Sequence, residues 1–194
     1  MESLHIIGDE HQSIAAIMHA IRYMLKEVGA GKLQADLKLF QAMVHYLDAY
    51  AEQRHHPKED ILFDLLAKRT DKAANSLAQL AEQHGAAPQR IAALQQALDA
   101  YLADAGKFAQ FAQAFDAYAE FYRNHMMLEE DVVLPLARQH LTAADWAAVD
   151  AGFREEMQSK SGKDGKHEDF AGLFSRLVDA APAPIGLGSG PFKG

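Results

Sequence analysis

The sequence predicts an all-α protein, built as an up-down-up-down four-helix bundle with a short C-terminal helical extension. Alanine and leucine dominate its composition, and β-branched residues are sparse. Apolar residues recur at steps of three and four over four long segments. The connections between these segments are short and polar, which suits antiparallel neighbours. No stretch shows the alternating pattern of a strand.

Each bundle helix has its own boundaries in the sequence. The four are predicted over about residues 9–28, 33–68, 71–103 and 107–136. Gly29 and Gly31 end the first helix. Because Pro88 lies inside the third helix, we expect a kink or a short break near Gly85. Pro135 should disturb the last turn of the fourth helix.

The bundle should occupy residues 1–140, and a helical extension should follow over 141–181. One short helix of the extension is opened by a capping box at residues 142–145. A second should run over about residues 167–180. Residues 182–194 are rich in proline and glycine, which predicts an irregular tail. It can dock on the bundle or on a partner, but its composition favours a loose end.

Composition excludes several classes of function. A net charge of −8 argues against a nucleic-acid partner, which usually requires a basic surface. No apolar run approaches the roughly 20 residues that cross a bilayer, so no membrane partner is expected. The first residues lack the basic and apolar regions of a secretory signal, which predicts a cytoplasmic location. Without cysteine, thiolate chemistry and cysteine-ligated metal sites are excluded.

The ten histidines are about twice the usual number for a chain of this length. Two of them stand four residues before a glutamate, as the pairs His55/Glu59 and His125/Glu129. On a helix this spacing places both side chains on one face, where they can bind one ion together or two ions when the carboxylate bridges. The spacing alone is weak support, because His5 also stands four residues before an acid.

The helical register makes these pairs more specific. At about 100° per residue, both pairs lie on the apolar stripes of the second and fourth helices, where a bundle buries its core. Burying two ionised glutamates without partners is costly, and a cation is the simplest compensation. His11 and His84 face the axis from the first and third helices. His56 should face away from His55, on the surface.

Four inward histidines and two inward carboxylates suit iron, manganese or zinc, and two ions rather than one. The segments that carry them resemble the ligand segments of the hemerythrin-like, or HHE cation-binding, family, and they occur in the order of that family. These segments read DEHQSI, RHHPKED, LAEQHG and NHMMLEED, and the resemblance covers about residues 5–140.

The resemblance implies a pair of iron ions, oxo- or hydroxo-bridged when oxidised, with the two glutamates as bridges. The implied ligands are His11, His55, Glu59, His84, His125 and Glu129. One feature departs from the pattern of the oxygen carriers. They place a fifth histidine one turn from the third-helix ligand, but the residues four away from His84 are Leu80 and Pro88. This difference predicts a more open centre than that of a simple oxygen carrier.

The leading functional hypothesis is a di-iron protein that binds or senses a small ligand such as O2, NO or peroxide. Three alternatives remain at this point: a peroxidase- or catalase-like enzyme, an iron donor in iron–sulfur cluster repair, and a helical interaction module without metal. Tyr118 or Tyr122 can join the metal site. The protein partner is not predicted, and a homo-oligomer is compatible with the sequence.

Overall fold

The computed structural model describes residues 1–159, 169–188 and 191–194. This part of the protein is mostly helical and contains no strand, which confirms the predicted all-α bundle. Among the helices described, none combines the length and apolar composition needed to cross a membrane. The α-helices are α1 (Glu2–Gly29), α2 (Leu37–Tyr46), α3 (His56–Ala67), α4 (Ala74–Ala103), α5 (Phe108–Leu128), α6 (Leu134–His140), α7 (Ala143–Ser159) and α8 (Phe170–Ala180).

Two of the bundle helices contain a π-helical segment. Leu47–His55 joins α2 to α3 in the second bundle helix, and Glu129–Val133 joins α5 to α6 in the fourth. Each segment ends just before a proline of the following helix, Pro57 or Pro135. A proline has no N–H to donate to the carbonyl four residues earlier, and a π-helical turn is one way for the chain to adjust.

The third bundle helix differs from its prediction. Helix α4 runs without a break from Ala74 to Ala103, although it contains Pro88. The predicted short break near Gly85 is therefore absent. Pro88 still removes the usual N–H partner of the His84 carbonyl, so its effect falls on a predicted site residue.

The apolar core forms two clusters along the bundle. One contains Ile14 and Phe111 and extends to the C-terminal helix, and the other contains Ile7 and Leu62 and extends to α7. In the sequence of each bundle helix, the predicted site residues lie at or near the point where one cluster gives way to the other. His11, for example, stands between Ile7 of one cluster and Ile14 of the other. The bundle therefore buries a polar layer between two apolar ones.

The extension packs along the bundle, with α7 on α3 and α1, and α8 on α1 and α2. Gly152 allows a close approach of α7, because a Cβ there would lie 3.1 Å from two side-chain carbons of Ile61. Asp150 accepts hydrogen bonds from the backbone N–H groups of Ser3, at 2.9 Å, and Glu2, at 3.3 Å. This long-range cap helps to explain why α1 begins well before residue 9.

The tail is bound at its end. Phe192 is buried against the first apolar cluster, and its N–H donates to Oδ2 of Asp36 at 2.7 Å. The expectation of a loose tail therefore fails at this residue, since one aromatic side chain anchors it. The residues at which the second helix of the extension was expected to begin, including His167, lie outside the described part, and α8 is described from Phe170.

Candidate metal centre

The structure brings all six predicted site residues together in the polar layer. Each bundle helix contributes at least one of them. His55 is the last residue of the π-helical segment in the second bundle helix, and Glu129 is the first residue of the segment in the fourth. Five of the six are buried, and His84 is partly buried. The six are His11, His55, Glu59, His84, His125 and Glu129.

The donors form two groups, and within each group the ligand atoms lie within 4.8 Å of one another. The first group contains His11, His55, Glu59 and Glu129. The second contains His56, Glu59, His84 and His125. Glu59 belongs to both groups. Glu129 also reaches both, because its Oε2 lies 3.3 Å from His11 Nε2 and its Oε1 lies 3.2 Å from His125 Nε2.

The prediction that His56 lies on the surface is wrong. The residue is buried, and its ring stacks on that of His84 with centroids 4.2 Å apart. The prediction assumed about 100° of rotation per residue, which holds for an α-helix but not across a π-helical turn. Because the π-helical segment ends at His55, both His55 and His56 turn towards the axis. Pro57, directly after them, was the sequence signal for this change.

In most of these histidines the two ring nitrogens have different surroundings, with Nδ1 beside an outer oxygen and Nε2 towards the centre. In four of the five rings, Nδ1 lies 2.8 Å from an oxygen outside the two groups: His11 to Glu130, His55 to Glu10, His84 to Asp60 and His125 to Gln83. Each Nδ1–H donates there, which leaves Nε2 aimed at the centre as the nitrogen that would bind a metal once it has lost any proton. In the fifth ring, His56 Nδ1 lies 3.1 Å from Glu52 Oε2.

Sequence reasoning missed the role of Glu10. This carboxylate is buried, and it accepts from His55 Nδ1 at 2.8 Å and from the Tyr50 hydroxyl at 3.3 Å. It also accepts from the buried ammonium of Lys58. Burial alone would raise the pKa of Glu10, but His55 and Lys58 lower it. A glutamate beside His11 gave no sequence signal that it would fix the orientation of His55.

The two tyrosines take separate positions. The Tyr122 hydroxyl donates to Nε2 of His56 at 3.1 Å, and the Tyr118 hydroxyl donates to Oε1 of Glu52 at 2.7 Å. Tyr122 therefore contacts His56 of the second group directly, whereas Tyr118 reaches it only through Glu52. Burial raises the pKa of both hydroxyls well above the ordinary value, so both stay protonated at neutral pH.

Without metal, the two histidines of the first donor group are protonated and supply the positive charge of the centre. Burial would lower the pKa of His11, but Glu129 and Glu59 raise it to about 11. Burial would likewise lower the pKa of His55, but Glu59 and Glu10 raise it to about 9. On the other side, burial lowers the pKa of His125 to about 3, so this ring is neutral.

The pKa values of the two central carboxylates, Glu59 and Glu129, also shift in opposite directions. Burial would raise the pKa of Glu59, but His55 and His11 hold it well below the ordinary value. Burial and the charge of Glu59 raise the pKa of Glu129. The centre thus stores protons that a cation would displace.

Unsatisfied atoms indicate that a cation fits here. His55 Nε2, Glu59 Oε2 and both carboxylate oxygens of Glu129 are buried and make no hydrogen bond of good geometry within the described part of the chain. Their near neighbours are other donors of the centre, such as Glu59 Oε1 at 3.1 Å from His55 Nε2. Such atoms are costly unless something compensates them. Imidazole nitrogen with carboxylate oxygen is a donor set that suits iron, manganese and zinc. The residues present therefore fit the metal pair that the sequence predicted.

Comparison with known proteins identifies the family. Residues 2–137 match the hemerythrin HHE cation-binding domain, which is most of the chain and includes every predicted site residue. Comparison with curated proteins and with solved structures gave no significant match. The match includes all four bundle helices except the last turn of the fourth, and the polar layer lies within it. The chain therefore belongs to the hemerythrin family of HHE cation-binding domains.

Proposed function

We propose that this protein binds a pair of iron ions and uses them to bind or sense a small ligand such as O2, NO or peroxide. One observation carries the proposal: imidazole and carboxylate donors from all four bundle helices converge on two adjoining groups that share Glu59. Iron is the metal that the family resemblance implies, and manganese or zinc also suits these donors.

The proposed ligands divide between the two groups. His11 and His55 would hold one ion, and His84 and His125 would hold the other. Glu59 and Glu129 would bridge, because each contacts histidines of both groups. The Nδ1 contacts fix the rings and most of the donors are buried, so the chain itself supplies a preorganised donor set.

His56 adds a fifth imidazole to this set. Its Nε2 is hydrogen-bonded to Tyr122, so binding an ion there would exchange that hydrogen bond for a metal bond. With His56 included, the number of histidines equals that of the oxygen carriers, although the fifth comes from a different helix. The lack of a second histidine one turn from His84 therefore no longer argues against reversible ligand binding. When bound, the iron pair would supply redox chemistry and coordination of the small ligand.

A peroxidase- or catalase-like reaction is the second candidate. The observation that favours it is the Tyr122 hydroxyl, 3.1 Å from His56 Nε2, because a phenol at that place can supply a proton to a ligand on the second ion. Mixing the reduced protein with O2, NO and H2O2 while recording absorption spectra separates the two functions. Peroxide loss over many turnovers contradicts a pure carrier or sensor, whereas a stable, reversible adduct contradicts the enzyme.

Metal analysis after iron-replete expression tests the proposal itself. We expect about two ions per chain, and fewer than about 0.2 would overturn the site. His84→Ala should lower the metal content because it removes a donor of the second group. His19→Ala is the matched control, since His19 is exposed and belongs to neither group. Equal metal content in the two variants would remove His84 from the ligand set.

A further inference from the structure

A cavity of about 390 Å³ connects the polar layer with the surface between the second and third bundle helices. Its wall includes His56 and His84 of the second donor group. It also includes Asp60, whose side chain is 57% exposed, whereas that of His56 is 6% exposed. The cavity therefore runs from solvent to the rings that face the proposed second ion.

The lining of this cavity is acidic. Three carboxylates, Asp48, Glu52 and Asp60, contribute to it, and no lysine or arginine is among its lining residues. A larger cavity of about 790 Å³, elsewhere in the described part, borders none of the donors. An acidic passage attracts cations and raises their local concentration, but it repels anions.

Glu52 gives a second, independent indication of a cationic occupant. Its side chain is 5% exposed and lines the cavity. Oε2 lies 3.1 Å from His56 Nδ1, and Oε1 accepts from the Tyr118 hydroxyl. The His56 ring accepts from Tyr122 at Nε2 and is therefore neutral, so neither neighbour of this buried carboxylate is a cation, and a passing cation would be attracted to it.

We propose that this cavity is the route by which divalent cations reach the centre, with Asp48, Glu52 and Asp60 as the carboxylates that guide them inward. This inference rests on the proposed metal pair. The route leads to His56 and His84 first, so the second donor group takes up its ion directly from the cavity. The first group receives its ion through the shared Glu59.

Asp48 provides the cleanest test, because it contacts the amides of Gln53 and Gln95 and none of the donor histidines. The metal-free full-length chain is mixed with Co²⁺, whose visible absorption reports binding, and the uptake rate is measured in a stopped-flow instrument. Asp48→Asn should slow uptake roughly fivefold at low ionic strength. The difference should shrink at about 0.5 M salt. The final number of bound ions should not change.

Asp116→Asn is the control for total charge. Asp116 is 67% exposed on α5, away from the cavity, so its loss should leave the uptake rate unchanged. Ala87→Leu tests the passage sterically, because Ala87 is buried in the cavity wall. This variant should slow uptake at every salt concentration. Circular dichroism and a thermal melt establish that each variant is folded.

The results of these measurements distinguish failure of the proposed route from failure of the proposed metal pair. Uptake of two ions at the wild-type rate in Asp48→Asn overturns the route and leaves the metal pair standing. A lower final stoichiometry in Asp48→Asn also overturns it, because Asp48 would then hold the metal rather than guide it. A wild-type chain that binds no Co²⁺ overturns the metal pair, and the route with it. Slower uptake in Asp48→Asn but not in Asp116→Asn, with unchanged stoichiometry, supports the route.

Discussion

The imidazole rings of His56 and His84 stack with their centroids 4.2 Å apart, although they come from different bundle helices. This contact places a fifth imidazole beside the four that were predicted. We expect His56→Ala to weaken binding of the second ion about tenfold or more, because a donor is lost. The measurement is metal titration of the metal-free chain, with His19→Ala as the control.

Tyr122→Phe separates coordination by His56 from its packing. The Phe variant keeps the ring but removes the hydroxyl that donates to His56 Nε2. If His56 binds the ion, Tyr122→Phe should bind metal at least as tightly as the wild type, since no hydrogen bond has to be broken. Weaker binding in Tyr122→Phe, with wild-type affinity in His56→Ala, would contradict the role given to His56.

Glu10 should matter for both stability and metal affinity. Glu10→Ala leaves the buried ammonium of Lys58 without its carboxylate, so we expect the free energy of unfolding to fall by roughly 3 kcal/mol. His55 also loses the acceptor of its Nδ1–H, and metal affinity should fall about tenfold. Denaturant unfolding and metal titration measure the two effects.

The double variant Glu10→Leu/Lys58→Met is the control for these two effects. Replacing both charges with apolar groups should restore most of the stability, because no unpaired charge stays buried. Metal affinity should remain low, since His55 still lacks its acceptor. Recovery of both properties together would contradict the positioning role of Glu10.

Metal removal should destabilise the protein. A chelator would remove the proposed ions that compensate Glu59 and Glu129, so the melting temperature should fall by roughly 6 °C or more. Glu129→Gln should have the opposite effect on the metal-free chain, and raise its free energy of unfolding by about 1 kcal/mol, because burial and the charge of Glu59 disfavour the ionised carboxylate that the variant removes. The same variant should lose metal affinity. Lower stability of metal-free Glu129→Gln would contradict this account.

Acid should weaken the cap that the extension places on α1. Burial would raise the pKa of Asp150, but hydrogen bonds from the Ser3 and Glu2 backbone lower it to about 2. A carboxyl group with a lowered pKa stabilises the folded state above the ordinary value near 3.8, and this contribution is lost as the pH falls towards 2.

Asp150→Ala should accordingly cost about 1 kcal/mol at pH 7. The difference from the wild type should shrink as the pH falls from 4 to 2. Urea unfolding at several pH values measures it, and Asp116→Asn is a control in which an exposed acid is removed. A difference that stays constant down to pH 2 would contradict the capping role.

Periodicity was sufficient to predict the fold class and the register of His11, His84 and the two histidine–glutamate pairs. It works because both the bundle and the site depend on which face of each helix is buried. It failed at His56, where a π-helical turn changes the rotation per residue. Pro57 and Pro135 were visible in the sequence, yet a proline alone does not state whether the helix kinks, breaks or widens.

Long-range contacts explain the other differences. Helix α1 begins early because Asp150 reaches it from α7, and the tail is anchored because Phe192 finds an apolar surface beside Asp36. Glu10 becomes an orienting residue only once the second bundle helix places Lys58 beside it. Each of these depends on residues far apart in the chain, which local pattern does not record.

Glu59 contributes to both donor groups and Glu129 contacts a histidine of each, so these shared carboxylates would make the two proposed metal positions interdependent. An ion that bound first would fix the carboxylates and displace the protons that had balanced them, so a second ion would find its ligands already ordered. Filling should therefore be cooperative, with a steep binding curve and few half-loaded molecules. A chain built in this way responds to a narrow range of metal concentration, as a switch does.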